Sequence, residues 1–174
     1  MSSSTNAEAH RSPRTAGLFV LCCLRLIAKD PRADGETFED LVAGFKAGGL
    51  AEDHALQFQK AVQLINTAGG GRLAIGPAAN AQIGCGDKLM LQLLMLLQHG
   101  NAFAARRILW GFVAPDVARK ILLALEGLAF AMARAGLNLP ETPYLLPVCP
   151  AETLAARQMG LRDDPKTHAR QWLN

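Results

Sequence analysis

The segment Arg72–Leu96, RLAIGPAANAQIGCGDKLMLQLLML, is where residue types and spacing come closest to a chemistry. A short apolar run enters a glycine-rich loop and the loop enters an apolar helical stretch, which is the layout of a phosphate-binding loop. Such a loop requires G-x-x-x-x-G-K-[ST], so that successive backbone N–H groups wrap the phosphates, the lysine neutralises them and the hydroxyl reaches a metal. Here Lys88 lies between Asp87 and Leu89, so the hydroxyl is missing and a carboxylate stands where the anion would bind. A dinucleotide fingerprint fails as well, because Gly84, Gly86 and the residues after them lack the third glycine and no repeated βα pattern surrounds them. The same residues suit a helix start. Gly84 and Gly86 allow tight backbone geometry, and Asp87 is expected as the N-cap of the next helix, worth about 1 kcal/mol and favourable to its dipole.

Cys85 stands near that helix N-terminus, where unsatisfied N–H groups would stabilise a thiolate. Asp87 opposes this, and no His or Ser close in sequence completes a nucleophilic pair. If the chain binds a small molecule, the pocket is expected where the Gly76–Gly86 loop meets the fourth helix, with Asn80, Gln82, Cys85 and Lys88 supplying polar contacts. The histidines His10, His54, His99 and His168 show no helical metal spacing to a second His or a Glu, so neither metal nor cofactor is expected. Glu39–Asp40 and Glu52–Asp53 are doublets at helix N-termini, where acids are favoured without any catalysis.

Arg106 and Arg107 precede Trp110, and Arg119 and Lys120 follow, forming a candidate basic patch with an aromatic. A solvated helix face is the simpler account of them. The helix carrying Arg119 and Lys120 is too apolar to present itself to a DNA groove, so nucleic acid is not an expected partner.

The elements that must hold these residues follow from composition and periodicity. The chain has 174 residues, half of them hydrophobic, with a mean hydropathy of +0.13 and a net charge of +3, which suits one domain with a sizeable core. Its apolar set is rich in Leu and Ala and poor in aromatic and β-branched residues, which favours helices. Acidic residues crowd Asp30–Asp53, whereas Lys60–Lys120 is mainly basic, so the two halves attract, between neighbouring helices or between subunits. Cys22, Cys23, Cys85 and Cys149 include no C-x-x-C pair and read as reduced thiols of a cytoplasmic protein. Arg11 and Arg14 before the apolar run Ala16–Leu24 imitate an export signal, but Arg25 and Lys29 follow at helical spacing and no cleavage site appears. No run approaches the ~20 apolar residues of a membrane span.

A first helix is predicted over about Pro13 to Lys29, apolar on most sides and ended by Pro31. The second begins at Thr37, with Asp40 completing a variant capping box, buries Phe38, Leu41, Val42 and Phe45, and is closed by Gly48. Asp53 caps the third, whose stripe is Ala55, Phe58, Val62 and Ile65. The fourth spans about Lys88 to His99, the fifth about Ala102 to Val113, and Pro115 opens a sixth that runs to Ala135 with Gly136 beyond its end. Its core side is Val117, Ile121, Leu125, Leu128 and Met132. Past Asn138 the prolines Pro140, Pro143, Pro147 and Pro150 exclude continuous helix, and two short helices, Glu152–Met159 and Pro165–Leu173, are expected after them.

These readings predict an all-α protein: a single-domain bundle of six to eight helices with short Gly-rich turns and a Pro-rich extended segment before the C-terminal helices. Residues 1–11 are expected as a disordered leader and 12–137 as the helical core. Residues 138–174 are expected as a Pro-rich segment and short C-terminal helices packing on the core or on a partner. The first, fourth and sixth helices carry more apolar surface than a small bundle encloses, which self-association or a larger core would absorb. The function expected is a non-enzymatic helical interaction or regulatory protein acting through protein–protein contacts as a homodimer. The alternative is a small-molecule binding protein or enzyme with its pocket at the Gly76–Gly86 loop.

Overall fold

The computed structural model of the protein describes residues 13–29, 35–69, 75 and 83–141. Those residues form six α-helices and no strand, so the all-α expectation is correct. The helices are α1 (Pro13–Lys29), α2 (Glu36–Ala47), α3 (Glu52–Ala68), α4 (Cys85–Gln98), α5 (Ala102–Trp110) and α6 (Pro115–Arg134). The leader, the loop residues Asn80 and Gln82, Cys149, Pro143, Pro147, Pro150 and both short C-terminal helices lie outside the described residues.

Burial follows the helical period. α4 is buried at every position from Leu89 to Met95, as a helix apolar all round must be, and α1, α5 and α6 pack against it. α6 lies along α3 and α4, burying Ile121, Leu125, Leu128 and Met132 of the expected stripe while Val117 is half-buried. α3 buries Ala55, Phe58, Val62 and Ile65. The rings of Phe19 and Phe45 stand 5.4 Å apart and those of Phe45 and Phe58 5.8 Å, a tilted aromatic series joining α1, α2 and α3. α1, apolar on most sides in sequence, has one face in the core. It buries Ala16, Val20, Cys23, Leu24 and Ile27 on one face and leaves Leu18 and Cys22 exposed, because α2, α3 and α4 all contact it from the core side.

Helix ends are set by glycines with φ of 71° to 81° at Gly49, Gly100 and Gly136. After each, an amide closes back onto the helix: Leu50 to the Phe45 carbonyl at 2.9 Å, Asn101 to Leu96 at 2.8 Å and Leu137 to Met132 at 2.8 Å. These are Schellman closures, which left-handed backbone makes possible. Gly48 caps the C-terminus of α2 as expected, with a helical φ of −72°, and a Cβ there would meet the Phe19 ring at 3.2 Å. Its neighbour Gly49 makes the turn.

The starts lie earlier than predicted. α2, α3 and α4 are capped at Gly35, Ala51 and Gly84, not at Thr37, Asp53 and Asp87. In α3 and α4 the polar side chain sits three residues inside the helix and reaches back. His54 Nδ1 accepts from the Ala51 amide at 3.2 Å, and Asp87 Oδ2 accepts from the Gly84 amide at 2.9 Å. Asn101 is a true N-cap, its Oδ1 accepting from the Ala104 amide at 3.1 Å. α5 ends at Trp110, three residues short of the expected Val113, where Gly111, Phe112 and Val113 close onto the Ile108 and Leu109 carbonyls. Beyond α6 the Gln98 side chain holds the chain against α4, donating to the Leu137 carbonyl and accepting from the Leu139 amide, both at 2.9 Å.

Candidate functional site

The first turn of α4 carries the polar residues that sequence singles out. Asp87 is 1% exposed, and its Oδ2 accepts from Arg25 Nη2 at 2.6 Å as well as from the Gly84 amide. Arg25 comes from α1, so the pair ties the first helix to the start of the central one. The other carboxylate oxygen, Oδ1, is buried without a hydrogen bond among the described residues. Where a phosphate loop would turn its amides toward an anion, this turn carries its own carboxylate and guanidinium. Cys85 and Lys88, both half-buried, are the first and fourth residues of α4, and Ile83 just before it is exposed. Arg25 as the partner of Asp87 was not legible in the sequence, since nothing local links positions so far apart.

Thiol chemistry is not favoured at Cys23. Burial, and secondarily the neighbouring Cys22, push its pKa from 9.0 up to about 12, so it stays a protonated core residue. Among the described residues no three His, Cys, Asp or Glu side chains converge as a metal site requires.

Of the basic set, Arg107 and Lys120 line two separate grooves. Arg106 and Arg107 are exposed on α5 between the exposed rings of Phe103 and Trp110, at positions i, i+3, i+4 and i+7. Arg107 and Phe103 line a cleft of about 460 Å³ with Asn101, Ala104 and Ile108. Lys120 belongs elsewhere, in a groove of about 540 Å³ between α3 and α6 that Lys60 also lines. Arg119 is exposed on α6 and lines neither of these.

The α3–α6 groove combines Leu64, Leu123, Ala124 and Leu128 with a polar rim of Asp53, His54, Lys60 and Lys120, and Gly127 opens its wall. Leu123 is 68% exposed and Phe130, two turns on, is 66% exposed. The Arg134 guanidinium lies 6.0 Å from the Phe130 ring centre. Sequence reasoning passed over these two residues, although both fall off the core stripe of α6 and the period alone turns them outward.

Comparisons with known proteins return no match among family models, curated proteins or solved structures. No helix among the described residues is long and apolar enough to cross a membrane.

Proposed function

We propose that this chain is a non-enzymatic helical interaction protein that acts through protein–protein contacts as a homodimer. The observation that carries this reading is the outer surface of α5 and α6, where Phe103, Trp110, Leu123 and Phe130 are exposed. Contiguous exposed apolar surface marks contact sites, and α5 and α6, which carry these side chains, pack against each other. The α5 face, with Arg106 and Arg107 between two rings, adds a region suited to an acidic protein partner. We assign the protein to the cytoplasm, a reading its cysteine spacing supports.

The competing reading, a small-molecule pocket at the Gly76–Gly86 loop and the start of α4, draws on Cys85 and Lys88. It has less support, because Asp87 spends its charge on Arg25 and Gly84 within the fold.

Size-exclusion chromatography with light scattering tests the preferred reading. A mass near twice 18.6 kDa is expected, and a monomer across the whole concentration range would overturn it.

A further inference from the structure

We infer that the cleft on α5 is the docking site of this chain's own residues 142–148, with Tyr144, Leu145 and Leu146 laid beside Phe103 and Ile108. The inference goes beyond the homodimer reading and does not depend on it. The first observation is where the described chain ends. Leu137 and Leu139 are 1% and 3% exposed, and the Gln98 side chain bonds to the backbone of both. The Glu141 carboxylate then lies 3.6 Å from His99 Nδ1. His99 caps α4 and stands two residues before Asn101, where the lining of the cleft begins. The fold therefore delivers the chain to the corner between α4 and α5, beside the cleft.

The second observation is the sequence that follows. From Thr142 to Ala151 it carries no charge, and Tyr144, Leu145 and Leu146 stand between Pro143 and Pro147. Proline-punctuated apolar segments favour an extended backbone and dock into grooves that present aromatic side chains. Reach suffices. The helix from Asn101 to Ile108 is about 10 Å long, whereas residues 142–146 in the extended form cover about 15 Å. The third observation is the lining. Phe103, 66% exposed, offers apolar surface together with Ala104 and Ile108. Arg107, in no ion pair among the described residues, can donate to the carbonyls that an extended backbone leaves unpaired. One cation among apolar side chains suits a neutral apolar segment better than an acidic one. So short a tether also holds the segment at millimolar effective concentration, which favours it over a free segment of the same chemistry. Trp110, Leu123 and Phe130 do not line the cleft and stay open to a partner.

Alkylation of Ala104→Cys in the full chain, resolved peptide by peptide with mass spectrometry, tests the docking. Adding Leu145→Asp and Leu146→Asp is expected to raise its rate at least tenfold, while a thiol placed at the exposed Ala114→Cys is expected to react at the same rate in both backgrounds. In the reverse direction, Phe103→Asp is expected to speed hydrogen exchange of residues 144–146 at least tenfold. Thermal melts confirm folding, and if Ala104→Cys does not fold, the exchange measurement decides alone. Alkylation and exchange rates left unchanged overturn the docking, whether the cleft stands open to a separate partner or is covered by something else. Protection that is lost on dilution assigns the segment to a second copy and overturns docking within one chain. Light scattering decides the homodimer reading separately, so either can fail while the other stands.

Discussion

Asp87 accepts a 2.6 Å hydrogen bond from Arg25 across 62 residues of sequence, and this buried ion pair joins the first helix to the first turn of the central one. Its position explains why a glycine-rich loop leading into a helix does not become an anion site here. The helix N-terminus is complemented by its own carboxylate, and the carboxylate by an arginine held 30% exposed at the bundle edge.

Breaking that pair from one side is costly. Arg25→Ala leaves a buried, uncompensated carboxylate, and the partial exposure of Arg25 reduces the usual penalty to about 2–3 kcal/mol. Asp87→Ala also removes the bond to the Gly84 amide and is expected to cost as much. The double variant Arg25→Met/Asp87→Leu is expected to recover most of the loss, because neither desolvated charge remains. Urea unfolding midpoints of the four proteins check this, and equal losses that simply add in the double variant would contradict it.

Two glycines of one helical segment predict opposite outcomes. Gly136 has φ +75° and open space around its Cβ position, so Gly136→Ala costs about 1–2 kcal/mol through backbone strain alone. Gly127 is helical with equally open space, and Gly127→Ala is expected to stabilise the folded monomer by about 0.5–1 kcal/mol. Melting temperatures moving in the same direction would refute the contrast.

Cys22 and Cys23 are adjacent but differ in exposure, so native-state alkylation is expected to label Cys22 and spare Cys23 until the chain unfolds. The buried thiol also links stability to alkaline pH. Its folded pKa of about 12 lies above the ordinary thiol value of 9.0, so the folded state holds the proton that the unfolded chain releases. The stability this contributes is fully present below pH 9.0 and is lost as pH rises toward 12. Urea midpoints measured across that range are expected to fall more steeply for wild type than for Cys23→Ala.

The helix starts separate a true cap from a side chain that reaches back. Asn101→Ala removes the acceptor for the Ala104 amide and is expected to cost about 1 kcal/mol. His54→Ala leaves only the exposed Ala51 amide to water and is expected to cost about 0.5 kcal/mol. Hydrogen exchange at Ala104 and Ala51 reads the two effects separately, and no acceleration at Ala104 would remove Asn101 from its capping role.

Six helices and most of their buried faces are legible in the chain, because helical periodicity and terminating glycines are local properties. Phe58, Val62 and Ile65 declare the inner face of α3 by their spacing alone, and Gly136 marks the end of α6. The starts are less legible. Asp87 reads equally well as an N-cap or as the third residue of the helix, and only the position of the Gly84 amide separates the two.

Of the candidate site, Asn80 and Gln82 lie outside the described residues, while Cys85 and Lys88 share the first turn of α4. The basic set reads as one patch along the chain. Packing of α5 and α6 against different neighbours sends Arg107 and Lys120 to separate grooves.

Sequence alone determined that the described chain is all-α and which residues face the core, since side chains recurring at the helical period must share a side. Tertiary structure decided that Asp87 belongs to Arg25, that α1 buries one face only, and that Leu123 and Phe130 remain uncovered beside the opening at Gly127. Those outcomes depend on which helices meet across the bundle, and no local pattern encodes that meeting.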